Sequence, residues 1–398
     1  MQEAAVQKAF PGASVAVTHQ GKLVVFKSLG GFIYDEDAPL LASFARSGDF
    51  DSQTSQSELP ARNFQSEVTP ATLFDLASLT KVVATTPMAM LLYERGLLDL
   101  DAPVSAIIPE VIRDEGMDSR RREITLRMLL THSSGLPAYE KLFLEAGARE
   151  ELLRCAFTTP LAADPATRAE YSDIGFIILG IALERLADES LDRFCQREIF
   201  APLGMTETTF NPPAEIRNRI PPTADETPSG ADTLVREMSP SHMNPGVSPR
   251  STFRGRIIQG EVQDENASVL GGVAPHAGLF STAADLAKYA HAMLSGGRPI
   301  LRPETVSLFT RRESDPPGTS RALGWDTPSS PSQSGKYFSP QSFGHLGYTG
   351  TSLWIDPTRN LSVTLLTNRT WPDCSNQSIK RFRPRFHDAV VATLDRQG

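Results

Sequence analysis

Two pairs of strand-like segments, one near each end of the chain, constrain the fold more than any other feature. Ala13–His19 and Lys22–Ser28 are rich in β-branched and aromatic residues and flank Gln20–Gly21, a typical hairpin turn. Near the other end, Thr351–Ile355 and Leu361–Thr367 flank a second turn in the same way. The pattern predicts an α+β fold in which both ends of the chain contribute to one antiparallel sheet.

The long stretch between these hairpins has mostly helical periodicity. Thr125 is a plausible N-cap, and Ser281 and Thr282 precede a clear amphipathic segment. The run Arg120-Arg121-Arg122 is expected on a solvated loop, because three charges make only a small electrostatic footprint. Helices are predicted over Leu79–Tyr93, Thr125–Thr131, Tyr139–Cys155, Ser172–Leu186, Ser190–Phe200, Ala283–Leu294 and Ser375–Leu394.

Changes in composition along the chain predict two domains. Residues 1–72 and 261–398 are expected to form a discontinuous domain, an antiparallel sheet flanked by helices. Residues 73–260 are expected to form an inserted, mainly helical domain. Prolines are dense over residues 204–260 and block long helices there, which predicts a loop system, and residues 36–72 lack clear periodicity and are expected at the surface.

Composition excludes several classes of function. The net charge of −8 and the pI near 5.5 argue against nucleic-acid binding, and the longest apolar run is too short to span a membrane. Three widely spaced cysteines suggest neither a disulfide framework nor a zinc site, and Gly-x-Gly is absent, so no metal or cofactor is expected. No secretory signal is visible in this numbering, which predicts a cytoplasmic protein, or a periplasmic one if a signal has been removed.

Ser78 and Lys81 are the first candidate catalytic residues. They lie three positions apart at the start of an apolar helical stretch, so both side chains are expected on one face. A serine hydroxyl is a weak nucleophile until a neighbouring base activates it. The spacing is short enough to arise by chance, and its meaning depends on the rest of the sequence.

Tyr171 and Asp173 form a second candidate element. A tyrosine can accept a proton if nearby cations stabilise its phenolate, and Lys81 is one candidate for that cation. The alternative is a core tyrosine followed by Ser172 as the N-cap of a helix, and the two interpretations are compatible.

A glycine-rich run, Gly344–Trp354, is the third element. Glycines at this density suit a backbone that approaches a substrate closely, with an exposed N–H as a donor to an oxyanion. A simple glycine-rich hairpin turn is the alternative.

Taken together, the three elements resemble the motifs of the serine β-lactamase and penicillin-binding-protein superfamily, in their order and at roughly their separations. Ser78-x-x-Lys81, Tyr171-x-Asp173 and His345-x-Gly347 carry the resemblance. Flanking segments are similar to its class C β-lactamase and family VIII carboxylesterase branch. These segments are Phe74–Lys81, Leu126–Leu136 and Gly278–Leu286.

The resemblance implies a β-lactamase/transpeptidase-like fold and a set of roles. Ser78 would be the acylated nucleophile, with Lys81 and Tyr171 sharing the proton transfers. The backbone N–H groups of Ser78 and Tyr348 would form the oxyanion hole, and water would hydrolyse the acyl enzyme. Asp173, His345 and Gly347 would contact the substrate, a small-molecule ester or β-lactam-like compound.

Two departures from the family pattern bear on the substrate. His345 stands where a lysine is usual and is mostly neutral near pH 7, while Asp173 stands where an asparagine is usual. A lost cation and a gained anion disfavour a substrate carboxylate, so the sequence favours a carboxylesterase on small or short-chain esters, with β-lactam hydrolysis weak. The alternatives are a β-lactamase or D-alanyl-D-alanine carboxypeptidase, for which Arg254 or Arg256 could restore the charge, and a sensor that acylates without turnover.

Two further groups stay off the catalytic list. His132 precedes two serines, but adjacent residues seldom present their side chains to one another, which favours packing at a helix end. Residues 264–266, Asp-Glu-Asn, could line the pocket or form a surface turn.

Overall fold

A central five-stranded sheet joins the two ends of the chain. We describe a computed structural model, over residues 8–34, 67–113, 118–227 and 253–396. Its strands are β1 (Gly12–His19), β2 (Lys22–Gly30), β8 (Phe343–Leu346), β9 (Ser352–Asp356) and β10 (Leu361–Thr367). The strand order is β2-β1-β10-β9-β8, and every pairing is antiparallel. The predicted fold class and both predicted hairpins are confirmed.

Alternation along the strands places the sheet between two helical layers. Val15 and Leu365, paired across β1 and β10, pack with a terminal helix, whereas Ala16 faces the main core. The period of two residues explains the difference, since successive side chains point to opposite faces of a strand. The terminal helix is Ile379–Leu394, and Ala283–Leu294 packs against the other face of the sheet.

The remaining strands are short. A three-stranded sheet has the order β3-β7-β4, and β5 pairs with β6. These strands are β3 (Phe74–Asp75), β4 (Thr209–Phe210), β5 (Ala224–Asp225), β6 (Ile257–Ile258) and β7 (Leu279–Ser281).

Helices occupy most of the described middle of the chain and surround the main core. The α-helices are α1 (Thr86–Glu94), α2 (Leu126–Leu130), α3 (Arg149–Thr158), α4 (Asp173–Ala187), α5 (Leu191–Cys195), α6 (Glu265–Val269), α7 (Ala283–Leu294), α8 (Pro303–Thr310) and α9 (Ile379–Leu394). The 3-10 turns are Ala77–Leu79, Val104–Ala106, Pro109–Ile112, Ser119–Glu123, Leu142–Leu144 and Ala214–Arg219, and π turns cover Lys81–Thr85 and Gln196–Phe200. No helix within the described ranges is long and apolar enough to cross a bilayer.

Local capping chemistry was predicted well. Thr125, Ser172 and Thr282 are the N-caps of α2, α4 and α7, and each hydroxyl accepts a backbone N–H of the first helical turn. Ser281 lies in β7 instead of the cap.

Two local predictions were wrong. The helix predicted over Tyr139–Cys155 is broken, because the amide of Phe143 donates to Asn266 Oδ1 instead of to a helical carbonyl. Arg121, expected in solvent, is buried and donates to the carbonyls of Val111, Phe157 and Thr159.

The predicted division into two domains stays a prediction. Residues 35–66 and 228–252, which include most of the expected surface excursion and part of the proline-rich region, lie outside the described residues. The described part of the proline-rich region, residues 204–227 and 253–260, contains β4, β5, β6 and one 3-10 turn.

Candidate active site

Ser78 lies in a tight turn that follows β3. Ala77, the residue before it, has a φ of 47°, which is a strained conformation for a residue with a Cβ. The amide of Ala77 donates to Asp75 Oδ1 over 2.8 Å, and the amide of Gln263 donates to Asp75 Oδ2 over 2.7 Å. Asp75 therefore fixes the turn that presents the nucleophile. Sequence analysis missed it, although an aspartate bonded to the amide two residues later is a known turn device.

Lys81 lies below Ser78 with no exposed surface. Its Nζ is 3.0 Å from Ser78 Oγ, 2.6 Å from Asp173 Oδ1 and 2.9 Å from the carbonyl oxygen of His276. The predicted proximity of Ser78 and Lys81 is therefore present. Burial lowers the pKa of Lys81, and the Asp173 charge acts against this shift. The Asp173 carboxylate therefore favours the charged form of the Lys81 amine, whereas burial disfavours it.

Tyr171 approaches Ser78 from the other side. Its phenol donates to Ser78 Oγ over 2.6 Å and lies 3.1 Å from Asp173 Oδ1. Burial and then the Asp173 charge raise the pKa of Tyr171 well above its usual range. Tyr171 is therefore a neutral phenol in this arrangement, which disfavours the phenolate considered from the sequence.

Asp173 has a different environment from the one expected for a substrate contact. The carboxylate borders the cavity, but one of its oxygens is shared by Lys81 and Tyr171. Asp173 is the first residue of α4, where a negative charge is favourable, and Ser172 caps that helix. The N-cap interpretation of Ser172 is therefore confirmed, whereas a role for Tyr171 in proton transfer stays a prediction.

Two neutral histidines flank Tyr171. Burial, followed by the charges of Lys81 and Arg321, lowers the pKa of His345 to about 3. Its Nδ1 lies 2.7 Å from the carbonyl of Leu346, so the neutral ring carries its proton there. His132 lies 4.7 Å from the Tyr171 ring and accepts the amide of Ser172, which agrees with the packing role inferred from the sequence.

The glycine-rich loop between β8 and β9 is bonded directly to the nucleophile turn. Thr349 Oγ1 donates to the carbonyl of Asp75 over 2.7 Å, and Thr351 Oγ1 donates to that of Leu76 over 3.0 Å. A Cβ at Gly347 would lie 2.5 Å from Leu76 O, so only glycine allows this approach. Among the described residues, none accepts a hydrogen bond from the amide of Tyr348. The loop thus lies beside Ser78 with this donor unused.

A cavity of about 880 Å³ opens above these residues. Its walls include Ser78, Tyr171, Asp173, His345, Gly347 and Tyr348, so the structure brings these predicted site residues together; Lys81 lies beneath them. Asp264 and Glu265 also border the cavity, whereas Asn266 is buried and bonded to Phe143 and Glu140. For Asp264 and Glu265 the pocket interpretation was therefore the better one.

Arg321 is the main residue that sequence analysis missed. Its guanidinium lies 5.7 Å from the Tyr171 ring in the cavity wall, and its nearest carboxylate, Asp326, is 3.9 Å away. The two arginines considered from the sequence have other partners. Arg254 forms a buried ion pair with Glu226, and Arg256 pairs with Glu261 at the surface. Arg321 has no motif around it, and only the folded chain reveals its position.

Comparisons with known proteins agree with this geometry. The family profile described as Beta-lactamase matches residues 1–382. An Escherichia coli (strain K12) protein named "Putative D-alanyl-D-alanine carboxypeptidase" is 32% identical over 320 residues, covering 76% of this chain and 70% of that protein. Two solved structures have similar folds. EstCE1, "a hydrolase with promiscuous acyltransferase activity", has a TM-score of 0.69 at 20% identity, covering 98% of this chain and 96% of that chain. A class C beta lactamase from Rhodobacter sphaeroides has a TM-score of 0.63 at 22% identity, covering 99% and 97%.

The fold and the family together define a serine hydrolase of the β-lactamase and penicillin-binding-protein type. This chain belongs to the beta-lactamase family. The resemblance inferred from the three motifs is confirmed.

Proposed function

We propose that this protein forms an acyl enzyme on Ser78 and cleaves substrates with a carboxylate beside the scissile bond, as a D-alanyl-D-alanine carboxypeptidase does. The observation that carries the proposal is Arg321. It is a cation in the cavity wall near Tyr171, and its guanidinium donates no hydrogen bond to any described residue. The name of the Escherichia coli relative agrees with this choice.

The hydrogen-bond partners of Lys81 are compatible with a neutral amine as the base. Two of its three neighbours, the Asp173 carboxylate and the carbonyl of His276, can only accept. A neutral amine satisfies both with its two N–H groups and leaves its lone pair for the hydroxyl of Ser78. Tyr171 donates to the same oxygen. The Ser78 proton would therefore pass to Lys81 as Oγ attacks the carbonyl carbon.

The remaining steps follow from the same contacts. The oxyanion of the tetrahedral intermediate would accept hydrogen bonds from the backbone N–H groups of Ser78 and Tyr348. These two donors would stabilise the negative charge that develops on that oxygen. The Tyr171 phenol would give its proton to the departing amine or alcohol and regain one from the Lys81 ammonium. Water would then attack the ester carbonyl on Ser78, with Lys81 accepting the proton of the water. The bond between the carbonyl carbon and Ser78 Oγ breaks as the acid leaves, and Oγ takes that proton back from Lys81.

The sequence argument for an esterase rested on two charges, and the fold gives both a different setting. Asp173 Oδ1 accepts hydrogen bonds from Lys81 at 2.6 Å and from Tyr171 at 3.1 Å, so the carboxylate is not presented to the substrate alone. Arg321 supplies a cation even though His345 is neutral. A substrate carboxylate is therefore not disfavoured as the sequence suggested.

A carboxylesterase on small esters is the second candidate. The observation that favours it is the cavity wall formed by Tyr139, Phe143, Leu144 and Phe253, which suits an apolar acyl group. Neutral His345 is also compatible with an uncharged ester.

The test compares an N-blocked D-alanyl-D-alanine peptide, a chromogenic cephalosporin and p-nitrophenyl acetate. We expect turnover of the peptide, and Arg321→Gln should lower its kcat/KM about 10- to 100-fold, because a charge-assisted hydrogen bond contributes about 1.5–3 kcal/mol. The neutral ester should change less than about threefold. Arg256→Gln is the matched control, since Arg256 is a cation that does not border the cavity.

Three outcomes would contradict the proposal. Rapid ester hydrolysis with no cleavage of the peptide would favour the carboxylesterase. Rapid cephalosporin hydrolysis without peptide cleavage would make the protein a β-lactamase. Turnover of any of the three substrates by Ser78→Ala would refute the acyl-enzyme mechanism itself.

A further inference from the structure

Two buried arginines lie beneath the glycine-rich loop. Arg383 of α9 donates from Nη2 to the carbonyls of Gly347, over 2.6 Å, and Thr351, over 2.9 Å. Arg369 follows β10 and donates from Nε to the carbonyl of Tyr348 over 2.7 Å. Both side chains are about 95% buried. Neither has a carboxylate within 4 Å among the described residues.

One of these bonds reaches the peptide unit that matters for catalysis. The carbonyl of Gly347 and the N–H of Tyr348 belong to the same peptide group, which is planar, so the two dipoles are aligned. A cation bonded to the carbonyl oxygen draws electron density from the amide nitrogen and makes its N–H a stronger donor. Arg383 thus bonds to the opposite end of the group that offers its unused N–H beside Ser78.

We propose that Arg383, with Arg369 beside it, is a positioning residue that orients and polarises the Gly347–Tyr348 peptide, and so strengthens the oxyanion hole from behind. The inference rests on the proposed function, because it assumes that the N–H of Tyr348 receives the oxyanion. Arg383 and Arg369 also border the cavity, but in this scheme Arg383 acts through the loop and does not touch the substrate.

Two further observations support a role for the charge itself. Neutral donors could tie a loop to a helix, yet this fold buries two guanidinium groups with only carbonyl partners, which is costly. Arg369 also lies 4.5 Å from the ring of Tyr348, so the residue that donates the N–H is held at its side chain and its carbonyl. Burial and then the Arg369 charge lower the pKa of Arg383 to about 9, so it stays charged at pH 7.

The structure offers a matched control for the simpler explanation, a purely structural anchor. Arg121 is equally buried and likewise donates to three carbonyls, but it joins α3 to two 3-10 turns and does not border the cavity. Replacing Arg121 should cost stability in a similar way without changing the oxyanion hole.

The experiment measures kcat and KM for p-nitrophenyl acetate and the inhibition constant of phenylboronic acid, which forms a tetrahedral adduct with a serine. Arg383→Met, Arg383→Lys and Arg121→Met are compared at a temperature where thermal unfolding shows each to be folded. We expect Arg383→Met to lower kcat at least about tenfold and to leave KM within about threefold. The loss of kcat should stay below the roughly 100- to 1000-fold loss that follows deletion of a whole oxyanion donor. Binding of phenylboronic acid should weaken in parallel, and Arg383→Lys should retain part of kcat and part of the boronate affinity that Arg383→Met loses.

A second readout reports on the hole directly. The carbonyl stretch of a slowly hydrolysed acyl enzyme should move to higher frequency in Arg383→Met, because a weaker donor polarises that carbonyl less. An unchanged stretch, or a loss of kcat no greater than that of Arg121→Met, would overturn the inference. If wild-type protein forms no acyl enzyme at Ser78, the proposed function fails instead. The two failures are therefore distinguishable.

Discussion

Lys81 and Arg383 are both buried basic side chains of the candidate site, yet their surroundings are opposite. Lys81 has a carboxylate at 2.6 Å and a pKa that burial lowers, so its proton can move. Arg383 has only carbonyl partners and holds its proton at neutral pH. We therefore expect the Lys81 side of Ser78 to transfer protons and the Arg383 side to hold a fixed charge.

The largest expected effect removes the base from the proton-transfer side. Lys81→Met should lower kcat about 100- to 10,000-fold on any substrate that is turned over, which is the usual range for a general base. Steady-state kinetics with p-nitrophenyl acetate measures it, and Lys288→Met, a half-exposed lysine of α7, is the control. A loss below tenfold in folded protein would mean that another group accepts the Ser78 proton.

A second prediction concerns three buried histidines, which burial, helped by nearby positive charges, keeps neutral. The pKa values of His345 and His387 are lowered to about 3, mainly by burial, and that of His132 is lowered as well. The unfolded chain binds protons at these histidines below about pH 6.5, whereas the folded chain does not. The contribution of these neutral histidines to the free energy of unfolding is thus fully present above about pH 6.5 and is lost as the pH falls.

The slope of this loss can be stated. Each histidine contributes about 1.4 kcal/mol per pH unit, and buried Asp75, whose pKa burial raises to about 6, opposes one of the three near pH 5. The free energy of unfolding should therefore fall by about 3 kcal/mol per pH unit there, as measured by urea unfolding from pH 7 to pH 5. His387→Asn should reduce the slope by about half. Equal stability at both pH values would show that the buried rings are charged.

A third prediction tests whether Asp173 serves the proton-transfer side. The Asp173 charge raises the pKa of Lys81 against burial, so Asp173→Asn should lower it further. If neutral Lys81 is the base, the acidic limb of kcat against pH should move to lower pH. An acidic limb that moves to higher pH would contradict this role. Asp326→Asn, which removes a cavity carboxylate not bonded to Lys81, is the control.

The smallest expected effect concerns the junction between the two sides. Thr349→Val removes the hydroxyl that ties the glycine-rich loop to Asp75, so the free energy of unfolding should fall by about 1 kcal/mol and kcat by a few-fold. Thr364→Val is a matched control, because the buried Thr364 hydroxyl has no hydrogen-bond partner among the described residues. Equal effects of the two substitutions would mean that the Thr349 bond contributes nothing specific.

Predictions from the sequence succeeded where neighbouring residues decide the outcome. Thr125, Ser172 and Thr282 cap helices because a hydroxyl reaches amides two or three positions away. Within the range predicted as one helix, Tyr139–Cys155, the amide of Phe143 donates to Asn266, more than a hundred residues later. No pattern within the segment contains that contact.

The prediction of an esterase stays a prediction, but the fold changes the premises on which it rested. His345 and Asp173 were weighed as isolated charges, whereas Asp173 is paired with Lys81 and Arg321 adds a cation that no motif marks. The charge that a substrate meets is a property of the assembled cavity. It cannot be summed along the chain.

The sequence alone determined the sheet built from both chain ends, the family, and the three motifs around Ser78, because these depend on short-range periodicity and spacing. Tertiary structure decided which groups meet across the site: Asp173 on Lys81, Arg321 beside Tyr171, and Arg383 behind the Gly347–Tyr348 peptide. These contacts join residues that lie far apart in the chain, and their energies depend on burial, which only the folded protein defines.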